Sequence, residues 1–250
     1  MELCLGTVQF GMDYGVFNQP KKDMEYCISC LDYATQNGIC AIDTATAYGT
    51  AEEVTGQFIR RKTISRDKLW ISTKFLPNIL DEYPSEDYEK VIEENLKKSL
   101  TVLGLEYVDA YFLHSSRYAY RPDILNALSR VQEKGLAINV GVACFKSDCV
   151  DYIQAPYSVF DHRMKDAGVF AAENRGTCKI DTRTAFIKGL IKLQEEQVPD
   201  HLAKAKPILR KLDDFAKKTG YSRIELALGY IKREQSINHL VFGIRDLEQL

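Results

Sequence analysis

The rhythm of this chain constrains its fold more than any single residue. Short apolar runs of strand length alternate from end to end with longer runs whose apolar residues recur at helical spacing. The strand-like runs are residues 2–5, 39–43, 69–74, 108–114, 138–143, 152–156, 180–186 and 239–243. Between most of them lie helix candidates at 23–36, ending before Gly38, at 51–61, at 85–103, ending at Gly104, at 122–134, ending at Gly135, and at 222–233. Such alternation calls for a parallel sheet, because a parallel neighbour is reached only through a crossover. Eight units within 250 residues suit a closed α/β barrel of the (β/α)8 TIM type better than an open doubly wound sheet. The chain, with 45% hydrophobic residues, is expected to form a single barrel domain over residues 1–250.

Two places break the rhythm. Only residues 146–150 separate Phe145 from Asp151, and five residues reach ~17 Å at most, enough to return to the bottom of the barrel but not to build a helix on the way. After Gly243 only residues 244–250 remain, too few for a full covering helix. The fifth and eighth helices are therefore expected to be missing or shortened.

Charge and cysteine usage exclude several classes. The 33 basic and 35 acidic residues are interspersed, leaving a formal charge of −2, so no nucleic-acid partner is expected. No stretch approaches the ~20 apolar residues of a membrane span, and a cytoplasmic location is expected. The seven cysteines are scattered and odd in number, which fits reduced thiols rather than a disulfide framework. Cys27 and Cys30 form a Cys-x-x-Cys inside a helix-like run, but no second pair completes a zinc site, and no metal is expected.

In barrels of this kind the chemistry sits where strands end and strand-to-helix loops begin. Those positions hold Asp43, Lys74 and His114, with Tyr48 on the loop after Asp43. The four are chemically matched. A phenol ordinarily titrates near ~10, and a neighbouring ammonium such as Lys74 favours the phenolate, making the group a more effective acid. Asp43 would hold that ammonium in place, and His114 would donate a hydrogen bond to a carbonyl oxygen. The set describes a proton donor aimed at a developing alkoxide. Taken singly, each residue also has an ordinary reading: a helix cap, a rim aromatic, a solvated strand end, a histidine satisfied by backbone.

The segments LGTVQFG, IDTATAYGTAEEVTG, ISTKF, YVDAYFLHS, NVGVACF and IQAPYSVFDHR occur in this order. Together they resemble the aldo-keto reductases over nearly the whole chain. The resemblance implies reduction of an aldehyde or ketone, with Tyr48 as general acid, Lys74 and Asp43 tuning it, and His114 orienting the carbonyl. It implies NADPH as cofactor, with NADH as the alternative, bound without a Gly-x-Gly-x-x-Gly fingerprint. By the same resemblance Gly6 and Thr7 would line the nicotinamide end and Gln154 would hold the carboxamide. Arg183 would stack on the ring, Thr184 would reach the pyrophosphate, and Gly243, Arg245 and Gln249 would meet the adenine end. LGTVQFGMDYGV further resembles a bacterial branch associated with surface-polysaccharide pathways, which implies a sugar-derived carbonyl.

The chain also departs from the family pattern. Ala143 and Cys144 stand where many relatives carry Ser-Asn, removing one carboxamide anchor, and Asp246 beside Arg245 opposes a 2′-phosphate. GTVQFG supplies the glycines of half a phosphate loop, but Met12 and Asp13 replace its Lys and Ser/Thr, so phosphoryl transfer is set aside. A barrel that binds ligand without useful turnover remains an alternative reading. A Schiff-base lyase is disfavoured, because Asp43 would keep Lys74 charged. The expected partner is a small-molecule carbonyl substrate, with Tyr118, Tyr120, His162 and Arg163 as candidate pocket residues. Apolar surface left by the missing helices points to a homodimer.

Overall fold

The computed structural model describes residues 1–143 and 150–250. Eight parallel strands close into a barrel in chain order. They are β1 Glu2–Gly6, β2 Ala41–Asp43, β3 Trp70–Phe75, β4 Val108–Leu113, β5 Ala137–Val142, β6 Tyr152–Pro156, β7 Lys179–Arg183 and β8 Ile237–Gly243. Among the described residues the helices are α1 Val8–Gly11, α2 Met24–Gln36, α3 Ala51–Arg60, α4 Tyr88–Leu103, α5 Pro122–Glu133, α6 Arg163–Asp166, α7 Ala172–Arg175, α8 Lys206–Thr219 and α9 Arg223–Lys232.

Successive strand residues face opposite sides of a sheet, and this period of two builds both layers of the barrel. Outward-facing Leu5, Ile42, Ile71, Leu113, Val142 and Ile153 join one apolar cluster with the inner stripes of the helices, among them Ile28, Leu31, Val54, Phe58, Leu96 and Leu128. Inward-facing residues come two apart: Trp70, Ser72 and Lys74 on β3, Tyr152 and Gln154 on β6, Asp181 and Arg183 on β7, His239 and Gly243 on β8. Local chemistry starts the helices where the sequence indicates. Asp23 accepts a hydrogen bond from the Tyr26 amide at 2.9 Å, and Ser222 and Glu225 cap α9 reciprocally. Such caps contribute about 1 kcal/mol each.

The floor of the barrel is aromatic. Trp70 lies on His239 with ring centroids 4.4 Å apart, and Tyr152 stacks on the same imidazole at 17°. The Asp181 carboxylate of the adjoining strand β7 pairs with His239 Nδ1 at 2.8 Å. Phe112 enters this layer because its neighbour is Gly141, where any Cβ would strike the Phe112 ring.

Three points qualify or add to the expectations. β6 joins β5 only through Gly141↔Tyr152 and Val142↔Ile153, so it starts level with the top of β5. Tyr152, the first residue of β6, nevertheless lies in the aromatic floor with Trp70 and His239, so the chain is back at the barrel bottom there, as expected; residues 144–149, where the fifth helix was expected to be missing, lie outside the described residues. β7 ends at Arg183 rather than 186, because Thr184 turns to a left-handed φ of 65°. The helix α8 was not anticipated: of its side chains only Leu209 is buried, so its apolar periodicity is thin. After β8 the chain makes a single 3-10 turn, Leu247–Gln249. Among the described residues no helix is long and apolar enough to cross a membrane.

Candidate active site

The C-terminal ends of the strands surround a cavity of about 840 Å³. At its base lies a buried ion pair. Lys74 Nζ donates to Asp43 Oδ2 at 2.5 Å and to the Thr44 carbonyl at 2.9 Å. Asp43 Oδ1 accepts from Ser72 Oγ and from Gln154 Nε2, each at 2.9 Å. Every oxygen of this carboxylate is thus occupied, which a charge removed from water requires. The Tyr48 ring lies over the ammonium, 4.8 Å from Nζ to centroid, and meets the His114 ring edge-on at 5.7 Å. Asp43, Tyr48, His114 and Gln154 line the cavity, while Lys74 is buried behind them.

Tyr48 owes its position to a close helix contact. The Gly11 carbonyl accepts from the Thr50 amide at 3.1 Å, and a Cβ on Gly11 would collide with the Tyr48 carbonyl oxygen and the Ala51 amide. The second glycine of GTVQFG therefore lets α1 lie against the loop that carries the phenol. From the other side, buried Glu52 at the start of α3 accepts from Thr73 Oγ1 of β3 at 2.6 Å, tying that loop to the strand that bears Lys74.

Electrostatics assign protonation states. Burial alone would push the Lys74 ammonium down, but Asp43 and then Tyr48 hold it above lysine's ordinary value. It is a cation under all ordinary conditions. His114 is pushed the other way, to about 4, first by burial and then by the Lys74 charge, with Arg183 adding to the effect. Its imidazole is therefore neutral near neutrality, and its Nδ1 is buried with no hydrogen-bond partner among the described residues. A neutral imidazole can donate to a carbonyl oxygen without giving up its proton.

The other anticipated residues separate along the cavity. Gln154 uses its amide on Asp43, so its carbonyl oxygen is the group left for a ligand amide. Gly6 lines the wall; Thr7 is fully buried, its hydroxyl on the Asp43 backbone carbonyl at 3.2 Å. Arg183 and Thr184 stand at the mouth, and Gly243, Arg245 and Gln249 lie along the outer rim. Arg245 is engaged there: Nη1 donates to Gln19 Oε1 at 2.6 Å, Nη2 lies 3.3 Å from Asp246 Oδ2, and Gln249 Oε1 accepts from its backbone amide at 3.0 Å. A cavity with an amide acceptor at its base and cations toward its rim suits a ligand carrying a carboxamide at one end and phosphates farther out, as a nicotinamide dinucleotide does. Ala143 also lines it, whereas Cys144 lies outside the described residues.

The candidate substrate residues farther along the chain do not reach this site. Tyr118 is buried with its hydroxyl on Asp81, Tyr120 is exposed, His162 stacks on Tyr230, and Arg163 pairs with Asp161. Sequence reasoning missed Ser72, Gly11 and Tyr14. Ser72 was accessible, since it precedes Lys74 by two residues and must share its face. Gly11 and Tyr14 act through tertiary contacts that no local period encodes.

A family model described as the aldo/keto reductase family matches residues 2–250. The methylglyoxal reductase DkgA of Salmonella typhimurium is 31% identical over 56% of this chain and 47% of its own length. An NAD/NADP-dependent indole-3-acetaldehyde reductase of Schizosaccharomyces pombe is likewise 31% identical, over 55% of this chain and 46% of its own. The chain thus spans about half the length of the curated relatives it matches. In fold it resembles aldo-keto reductase AKR11C1 from Bacillus halodurans, with a TM-score of 0.78 at 19% identity over 99% of this chain and 83% of that one. Matched along essentially its full length, the chain belongs to the aldo/keto reductase family.

Proposed function

We propose that this barrel reduces a small-molecule aldehyde or ketone to the alcohol with NADPH or NADH. The observation that carries the reading is the convergence of Tyr48, the Lys74–Asp43 pair and neutral His114 on one cavity wall. When bound, the dihydronicotinamide supplies the hydride. The protein's own part is positioning and proton supply. His114 donates a hydrogen bond to the substrate oxygen, and Tyr48 delivers its proton as negative charge develops there. The Lys74 ammonium, fixed by Asp43, offsets the charge left on the phenol oxygen. Gln154 would hold the carboxamide; Gly6, Arg183, Thr184, Gly243 and Gln249 would form the rest of the dinucleotide site, with buried Thr7 bracing the Asp43 backbone behind the nicotinamide end. Because Arg245 is shared with Asp246, a 2′-phosphate must compete for it, and discrimination between NADPH and NADH should be weak. Cys4, Cys27, Cys30 and Cys40 are free thiols, in keeping with a reducing compartment such as the cytoplasm.

The test is a titration with each dinucleotide followed by a carbonyl panel. Micromolar binding and carbonyl-dependent loss of dihydronicotinamide absorbance are expected. Absence of binding by both dinucleotides would refute the proposal.

A further inference from the structure

Arg183 ends β7 beside Pro156 of β6, and it lines the cavity together with Tyr48 and His114. Although the residue is half-buried, its guanidinium forms no ion pair or hydrogen bond among the described residues. Other arginines of this protein are treated differently: Arg66, Arg163, Arg223 and Arg245 each hold an aspartate. None of its nitrogens is buried, so they face the cavity, where an anionic ligand can replace water as their acceptor.

The position of that cation is informative. Its charge helps hold His114 neutral, and it opposes the burial that raises the Tyr14 phenol, so it acts on both rings at the carbonyl end of the cavity. A second cation lies on the same side: Lys188 Nζ stands 5.0 Å from the Tyr14 ring centroid, and it too forms no ion pair among the described residues. The one acid at the cavity base, Asp43, is already saturated by Lys74, Ser72 and Gln154. Glu248, the other acid lining the cavity, stands on the turn after β8; the charges contributed by the end of β7 and the turn after it include those of Arg183 and Lys188.

Resting on the proposed carbonyl reduction, we propose that the substrate is anionic. It is a carboxylate- or phosphate-bearing aldehyde or ketone whose anion is held by Arg183 while its carbonyl lies between Tyr48 and His114. The planar guanidinium can meet two anion oxygens along its edge and still present a flat face to a ring. Phosphates of the dinucleotide are the other source of such an anion, and the test separates the two.

Matched substrates differing only in the anion are compared: succinic semialdehyde with butanal, and glyceraldehyde 3-phosphate with glyceraldehyde. One charge-assisted pairing should favour the anionic member about 10- to 100-fold in kcat/KM. In R183Q that ratio should fall about tenfold or more, and R183K should recover part of it. Calorimetric titration of succinate into protein saturated with oxidised dinucleotide should show binding that R183Q weakens by a similar factor. A ratio near one in the native protein, or a ratio unchanged in R183Q, overturns the inference. So does a loss in R183Q confined to dinucleotide affinity, which would assign Arg183 to the cofactor phosphates. Equal reduction of both members leaves the carbonyl-reductase reading standing and removes only the anionic substrate. Reduction of neither member refutes both.

Discussion

Acidification should destabilise this protein through one identifiable side chain. His114 titrates at about 4 in the folded state, because burial disfavours the imidazolium and the Lys74 ammonium repels it. In the unfolded chain the same group takes up its proton near ~6.5. Between these values the unfolded state binds the extra proton, so stability falls as pH drops through that window and is fully present above it. With each unit of difference equivalent to ~1.4 kcal/mol, the loss reaches about 2 kcal/mol at pH 5 and approaches 3 kcal/mol at pH 4. Urea unfolding of the native protein and of His114→Gln at pH 7, 6 and 5 isolates the effect. Subtracting the two curves removes the opposite contribution of the Asp181 and Glu52 carboxyls, which burial raises in the fold and whose stabilisation fades as pH rises through their folded values. The native protein should lose about 2 kcal/mol more than the variant between pH 7 and 5. Equal pH slopes would refute the reasoning. Lys74→Met offers a second check: without the ammonium, the imidazole should take up its proton closer to its ordinary value, so the His114-linked loss should still begin near ~6.5 but end at higher pH and be smaller in total.

Tyr48→Phe removes only the proposed proton donor, so turnover should fall about 10²–10⁴-fold while dinucleotide affinity and melting temperature stay close to native; retained turnover would exclude Tyr48 as the acid. Asp43→Ala leaves the Lys74 ammonium buried without its partner and should cost about 3–5 kcal/mol in urea unfolding. Gly11→Ala forces α1 away from the Tyr48 loop, so stability should fall by about 1–3 kcal/mol together with turnover, and native-like values of both would contradict the contact. The ratio of Kd values for NADPH and NADH should lie within about tenfold, as expected of an Arg245 that a 2′-phosphate must win from Asp246.

Much of the barrel was legible because period-two strands and period-3.6 helices are local signals, and all eight strands fall where alternation indicated. The base of the site was legible for the same reason: Asp43, Lys74 and His114 sit at or next to strand ends, which topology alone brings together. What the sequence withheld depended on register. The strand β6 starts beside the top of β5, a choice made by pairing between residues far from any turn signal. The free guanidinium of Arg183 was equally hidden, since an unpaired cation is recognised only once its neighbours in space are known. The helix α8 escaped because a charged helix with one buried side chain has almost no apolar period to read.

Trp70 is the only tryptophan in the protein, and it lies against His239 at the end of the barrel opposite Tyr48. That contact makes the intrinsic emission an optical reporter of the barrel floor. Ligands entering at the far mouth touch none of these rings. A reduced dinucleotide, whose absorption overlaps indole emission, should dim Trp70 through dipolar coupling across the barrel interior. The oxidised form lacks that absorption and should bind without changing the signal.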